Sequence, residues 1–245
     1  MRLRLTAPAI AAVLAASAAA LSAAAVEYPG LVLPLKEVVV SAPVQARIER
    51  LAVKEGDRVK AGDTLAQLYS RIEELDTQRT KAALEKREFD YKGSKNLSAD
   101  SIISQDEALK AKIELDLARL QHEQAAEVLA QRTIKAPLDG IVVEKHQEAG
   151  ETVAASQPLF RLVDISRLYV QFYVRAEDAG AIRLGETMEV RCPVADATRV
   201  FPGKVDFVDP RVDAASGLMR VKVLLDNADA ALKPGLRATV AIPGR

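Results

Sequence analysis

The 245-residue chain has no Trp, one Cys, two His and only 4% aromatic residues, and its 34 basic side chains balance 34 acidic ones. Each scarcity excludes something. A single cysteine rules out an intrachain disulfide and a cysteine zinc cluster, and Cys192 falls in phase with Met188 and Val190 as a buried core thiol. His122 and His146 stand in unlike contexts with no metal-ligand spacing, so neither a metal nor a cofactor is expected. The only methionines, Met1, Met188 and Met219, are too scattered to relay copper. Zero net charge, with no run of five or six like charges, argues against a nucleic-acid partner, which needs a basic excess to neutralise phosphates. With 49% hydrophobic residues the chain folds, but so few rings suit several thin modules better than one large core.

The first residues read as an address. Arg2 and Arg4 precede an apolar stretch from Leu5 to Leu21 and the small residues Ala23, Ala24 and Ala25, the pattern of a secretory signal over 1–25 cleaved before Val26. The alternative is an uncleaved N-terminal membrane anchor, which the alanine-rich composition and Thr6, Pro8, Ser17 and Ser22 weaken. No cysteine near the cleavage site is available for a lipid.

Self-comparison is the most informative step. Residues 42–68 align without a gap on residues 136–162, with identities at Ala42/Ala136, Pro43/Pro137, Gly56/Gly150, Val59/Val153, Ala61/Ala155, Leu65/Leu159 and Leu68/Leu162. Each copy reads as an apolar strand, a turn at Gly56 or Gly150, and a second strand. One copy has too little apolar face to stand alone. Two copies related by a pseudo-twofold axis can close a small β-sandwich.

Between the copies, from Ser70 to Gln131, there is no proline and one glycine, Gly93, while Glu, Lys, Gln, Ala and Leu dominate. Two Ser-x-x-Glu capping boxes, Ser70 with Glu73 and Ser104 with Glu107, predict two helices broken between Gly93 and Ile103. Ala108, Ala111, Leu115, Ala118, His122, Ala125 and Leu129 carry the 3,4 spacing of a coiled-coil seam on the second helix. On the first, Ile72, Leu75, Arg79, Ala82, Lys86 and Phe89 keep the spacing, with two cations interrupting it. A short connector makes the pair antiparallel.

From Arg167 the period changes to two: Leu168, Val170, Phe172 and Val174 alternate, as do Met219, Val221, Val223 and Leu225, then Leu236, Ala238, Val240 and Ile242. Turn signals at Gly185, Pro202-Gly203, Asp209-Pro210, Ser216-Gly217 and Pro234-Gly235 predict a small antiparallel barrel, with a short helix around 177–184. No nucleophile elbow, phosphate loop or convergent acid pair occurs, so no catalytic residue is expected.

This order of modules, with Val53-Lys54-Glu55-Gly56-Asp57-Arg58-Val59 and Ile134-Lys135-Ala136-Pro137-Leu138-Asp139-Gly140 as half-motifs and Leu232-Lys233-Pro234-Gly235-Leu236 as a barrel turn, resembles the HlyD-like membrane fusion proteins. These are the periplasmic adaptors of bacterial efflux pumps. The resemblance implies a mainly β fold with a long α-helical hairpin: a split lipoyl-like β-sandwich, an antiparallel coiled coil between its halves, then a β-barrel. It divides the chain into a signal at 1–25, an N-terminal segment with lipoyl-like half 1 at 26–69, the hairpin at 70–132, half 2 at 133–164 and the barrel at 165–245, without the membrane-proximal domain that many members add. It also implies a non-enzymatic bridge in the periplasm, associated with the inner membrane, between an inner-membrane pump of the resistance-nodulation-division type and an outer-membrane channel, with copies associating as a hexamer.

At the hairpin tip, members of that class often carry an Arg, a Leu four residues on and a Ser seven after that. Leu97 and Ser104 match, Ile103 suits the pattern, and Gly93 stands at the Arg position with Lys92 and Lys95 beside it. The partner-binding candidates are therefore Lys92, Lys95, Leu97, Ile103 and Ser104. Two other readings remain: a periplasmic scaffold without a transport role, and a biotinyl or lipoyl carrier. The carrier is disfavoured because the turn that would present its lysine is replaced by the hairpin.

Overall fold

A computed structural model describes residues 26–194 and 197–242; the expected export signal at 1–25 lies outside them. In chain order the elements begin β1 (Val26–Ser41), β2 (Ala46–Leu51), β3 (Arg58–Val59), β4 (Thr64–Leu68), α1 (Arg71–Ala99) and α2 (Gln105–Ala130). They continue with β5 (Thr133–Lys135), β6 (Gly140–Lys145), β7 (Thr152–Val153), β8 (Pro158–Arg175), α3 (Ala176–Ala179), β9 (Thr187–Val194), β10 (Ala197–Val208), β11 (Leu218–Asp226) and β12 (Arg237–Ile242). The chain forms two units, one of residues 36–164 and one that joins the N-terminal segment up to residue 35 to residues from 165 onward.

The first unit holds the repeat and the hairpin. Sheet β5-β4-β2-β7 faces β3, β6 and the start of β8 over a core that includes Ile48, Leu65, Leu68, Val142, Leu159 and Leu162. The halves are sewn together by matching bonds. Ile48 N–H donates to Glu151 O (2.8 Å) and Gly150 N–H to Ile48 O (2.8 Å); at the equivalent positions, Val142 N–H donates to Asp57 O (3.0 Å) and Gly56 N–H to Val142 O (2.8 Å). Ala42 and Ala136 repeat the exchange, the first with Ser156 and Gln157, the second with Gly62 and Asp63. Each half's turns thus bind the other half's strand, which is why those positions recur in sequence.

Gly56, Gly62 and Gly150 take positive φ near 90°, but the fourth equivalent position is Ser156, at φ 67°. A side chain in the left-handed region costs roughly 1 kcal/mol. Ser156→Gly should therefore stabilise this unit by about 0.5–1 kcal/mol, and Gly62→Ser should destabilise it similarly, read as shifts in the urea midpoint.

The second unit is the expected barrel. Its order β1-β12-β9-β10-β11-β8 closes because β8 also pairs with β1. Leu168, Val170, Phe172 and Val174 all point inward and are fully buried, as are Val190, Cys192, Val221, Val223, Leu225 and Val240. Burial pushes the Cys192 thiol above its ordinary pKa, which keeps it protonated and unreactive. The closing strand comes from the other end of the chain, with Val26 through Leu31 pairing antiparallel with Ile242 through Arg237.

Two turn-level expectations are corrected. Pro202-Gly203 is not a turn but lies inside β10, opposite Glu189 and Met188. Glycine is needed there because a Cβ would stand 2.3 Å from Val223 Cγ1 and 2.6 Å from Leu225 Cδ2. The short helix spans only 176–179 and then passes into turns that lead to Gly185.

At the end of β10 the buried Asp209 accepts from Arg211 N–H (3.1 Å), Arg211 Nε (3.2 Å) and Arg220 Nη2 (3.2 Å). Hydrogen bonds from the Arg211 side chain and backbone, reinforced by the charges of both arginines, hold its carboxyl below the usual range. A depressed carboxyl contributes stability above its unfolded pKa, near about 3.9, and loses it as pH falls through the folded value. Asp209→Asn should lower Tm at pH 7, and the gap from the parent protein should close as pH falls from the ordinary carboxylate range through the depressed folded-state pKa, read in a thermal-melt series.

Candidate functional site

Among the described residues no three His, Cys, Asp or Glu side chains are placed to hold a metal. The feature set apart from the two cores is the hairpin. Helix α2 meets α1 along the expected seam: Leu115, Ala118 and Ala125 are buried, and Ala108, Ala111, His122 and Leu129 half-buried. Helix α1 does not present the expected stripe. Its inward positions are Glu73, Thr77, Thr80, Leu84, Arg87, Tyr91, Ser94 and Ser98, whereas Ile72, Leu75, Arg79, Ala82, Lys86 and Phe89 are all exposed.

Chemistry explains the shift. The expected register would bury Arg79 and Lys86 against alanines, with no anion to compensate them. In the observed one the hydroxyls satisfy themselves locally. Thr77 Oγ1 lies 2.8 Å from Glu73 O and 3.2 Å from Ala125 O, and Thr80 Oγ1 lies 3.0 Å from Asp76 O and 3.3 Å from His122 Nδ1. Arg87 reaches across to Glu114 at 2.7 Å.

The capping boxes behave differently from each other. Ser104 caps α2 as expected, accepting from Glu107 N–H at 3.2 Å. Ser70 precedes α1 without capping it; its hydroxyl donates to Glu74 Oε1 at 2.7 Å. Glu73, the box's other half, instead pairs with Arg132 at the hairpin root, where Arg132 Nη1 also donates to Gln45 O at 3.4 Å.

The break expected from Gly93 to Ile103 is shorter, since α1 runs through Gly93 to Ala99. It ends in a Schellman arrangement: Ile102 N–H donates to Leu97 O (2.8 Å) and Ser101 N–H to Ser98 O (3.1 Å), with Ser101 left-handed at φ 58°. This motif brings Leu97, Ile103 and Ser104 together at the tip. Ile102, which sequence patterning passed over, is the most open of the tip's apolar residues at 66% exposure, against 42% for Leu97; Ile103 is half-buried. Its signal is its place one residue past the left-handed Ser101, where the motif sets an apolar side chain beside Leu97. Lys92 and Lys95 are exposed but lie about 100° and 160° round the helix from Gly93, so neither occupies the face of the usual arginine.

Comparison with known proteins assigns these modules. Residues 36–164 match the CzcB-like barrel-sandwich hybrid domain and residues 167–245 the CusB-like beta-barrel domain. The chain belongs to the CzcB-like membrane fusion protein family. The cobalt-zinc-cadmium resistance protein CzcB of Cupriavidus metallidurans is 28% identical over 214 residues, which cover 80% of this chain and 40% of that protein. The nodulation protein NolF of Rhizobium meliloti is 25% identical over 225 residues, 86% of this chain and 61% of its own. The chain thus spans about two-fifths and three-fifths of the lengths of these relatives. Among solved structures, a MacA-MexA chimera carrying the Pseudomonas aeruginosa MexA α-hairpin shares the fold, with a TM-score of 0.78 at 24% identity over 90% of this chain and 81% of the chimera. The mainly β architecture with an inserted hairpin expected from sequence is therefore that of the family.

Proposed function

We propose that this chain is the periplasmic adaptor of an efflux transporter, linking an inner-membrane pump of the resistance-nodulation-division type to an outer-membrane channel. One observation carries the reading: a closed β-sandwich that sends out a two-helix projection with apolar residues at its free end. Helix α1, with 29 residues, is about 44 Å long, far longer than its narrow seam needs for stability. Exposed Leu97 and Ile102 at the end fit contact with another protein. The candidates Lys92, Lys95, Leu97, Ile103 and Ser104 keep that role here, with Ile102 added. Copies assemble into a ring, hexameric as in the family, whose hairpins enclose a conduit; the chain does no chemistry of its own and binds no cofactor. It works in the periplasm against the inner membrane. Among the described residues no helix is long and apolar enough to cross a membrane.

The names of the relatives support exported cargo that includes heavy-metal cations, since CzcB is described by cobalt, zinc and cadmium resistance. Deleting the gene should lower tolerance to zinc, cobalt or cadmium, or to hydrophobic drugs, and the intact chain should restore it. Unchanged tolerance to all of these on deletion would favour the scaffold without transport.

A further inference from the structure

One end of the barrel carries a cleft of about 370 Å³ walled by Tyr173, Asp209, Arg211, Val212, Asp213 and Arg220. Its acceptors are largely spent. Asp209 Oδ2 accepts from Arg220 Nη2 (3.2 Å) and Arg211 Nη2 (3.4 Å), and its Oδ1 takes the Arg211 backbone N–H and Nε. Asp213 Oδ1 closes its own turn, accepting from the N–H groups of Ala215 (2.8 Å) and Ser216 (3.2 Å). The donors are not spent. Nη1 of Arg211 and Nη1 of Arg220 have no partner among the described residues. Tyr173 Oη accepts from Gln171 Nε2 at 3.1 Å and so keeps its own hydrogen to give. Two guanidinium forks beside a hydroxyl suit an acceptor-rich anion such as a phosphate.

The place of the cleft says which phosphate. Strands β8, β10 and β12 finish at this end, and β1 begins here, with Val26 opposite Ile242. The connection from β8 to β9 crosses the end as a roof. Ala179 and Ile182 beneath it join the core, and it is held by the Tyr28 hydroxyl on Asp178, by Ala176 N–H on Gly217 O (3.3 Å) and by Gly185 N–H on Val205 O (2.8 Å). Outside the roof stands Leu184, 71% exposed, the most open large apolar residue described in the barrel. Val212, on the cleft wall, and Val26 are each 46% exposed. Residues 1–25, apolar from Leu5 to Leu21, join the fold at Val26. Cut or retained, that leader brings this end of the barrel to the bilayer surface. Apolar side chains standing beside arginines are what a bilayer interface accepts: the former enter the acyl boundary while the latter stay at the phosphates.

We infer that this end of the barrel rests on the inner membrane, with a lipid headgroup phosphate held by Arg211, Arg220 and Tyr173 and with Leu184 and Val212 dipping into the acyl boundary. The inference deepens the adaptor reading by naming what the chain touches at that membrane.

The test floats the chain with vesicles after secretion behind a cleavable signal, so that it begins at Val26 and has no apolar leader of its own. One set of vesicles contains phosphatidylethanolamine and phosphatidylglycerol, and the other a galactolipid without phosphate. The parent chain should float several-fold more with the phospholipid. Arg211→Gln should cut that binding about fivefold, the worth of one cation near an anionic surface. Leu184→Asp should abolish it. Arg167→Gln, the same charge change at the far end of β8, opposite Asp226, should leave it unchanged. Arg211→Gln keeps Arg220 and the residue 211 N–H on Asp209, and Leu184 lies in solvent, so Tm should hold. If Arg211→Gln nevertheless unfolds, Leu184→Asp alone decides. A parent chain that does not float, floats equally with galactolipid, or loses as much binding with Arg167→Gln would overturn the inference. So would a rise in Tm with inorganic phosphate but no vesicle binding, which would make the cleft a site for a free anion. A photo-crosslinking amino acid at Leu184 in intact cells should be recovered on lipid, and recovery on a protein instead would also overturn it. No efflux is read, so failure here leaves the adaptor reading standing.

Discussion

Leu97→Asp with Ile102→Asp should abolish complementation of efflux while leaving Tm within a degree or two of the parent protein. Both side chains are exposed at the end of α1 and neither belongs to a core, so the folded state loses little. The Schellman bonds that set the tip run through backbone groups and survive the change. What is lost is an apolar contact of the kind that anchors a protein interface. Truncating one central anchor typically costs on the order of 2 kcal/mol, about 30-fold in affinity, and a buried carboxylate with no partner adds to that. Two such changes at adjacent positions should bring channel binding below detection. Ser101→Gly, which relaxes the left-handed residue between them, should leave export intact. If the double aspartate exports normally, the tip is not the contact.

The largest effect on stability is expected at the hairpin root. Arg132 and Glu73 are only 17% and 16% exposed, and their ion pair joins the end of α2, the start of α1 and the Gln45 carbonyl ahead of β2. Arg132→Ala would leave the Glu73 carboxylate half-buried without its cation, at an expected cost of about 3 kcal/mol in urea denaturation. Replacing both residues by leucine should recover most of the loss, because the expense lies in the orphaned charge. A change below about 0.5 kcal/mol for Arg132→Ala would mean that solvent reaches the pair and already screens it.

What could be read from the sequence follows from which interactions repeat or are local. The split sandwich was legible because its turns require glycine at Gly56 and Gly150 and acidic or amide side chains after them. Asp57 and Glu151 each close their own turn by accepting the N–H three residues back, from Lys54 and Glu148. The α2 seam was legible because alanine and leucine mark it directly. The α1 seam was not: threonines there look polar in sequence, yet their hydroxyls bond to carbonyls one turn away and so pack like small apolar groups. The barrel's closing strand was hidden by Pro29, Gly30 and Pro34 and by a pairing that reaches β12, at the far end of the chain. Gly30 suits that strand because a Cβ would stand 2.8 Å from Val170 Cγ1 on β8. At the tip, Leu97 and Ser104 followed a family pattern, while Ile102 needed the backbone geometry of Ser101 to be noticed.

The central claim is that the hairpin tip touches an outer-membrane channel while the chain is at work. A photo-crosslinking amino acid in place of Ile102, activated in intact cells, tests it most directly. The account predicts a single major adduct between this chain and an outer-membrane channel protein, lost when Leu97→Asp is added. A chain that is exported and folded yet gives no adduct, or is captured only with inner-membrane or soluble periplasmic proteins, would contradict it.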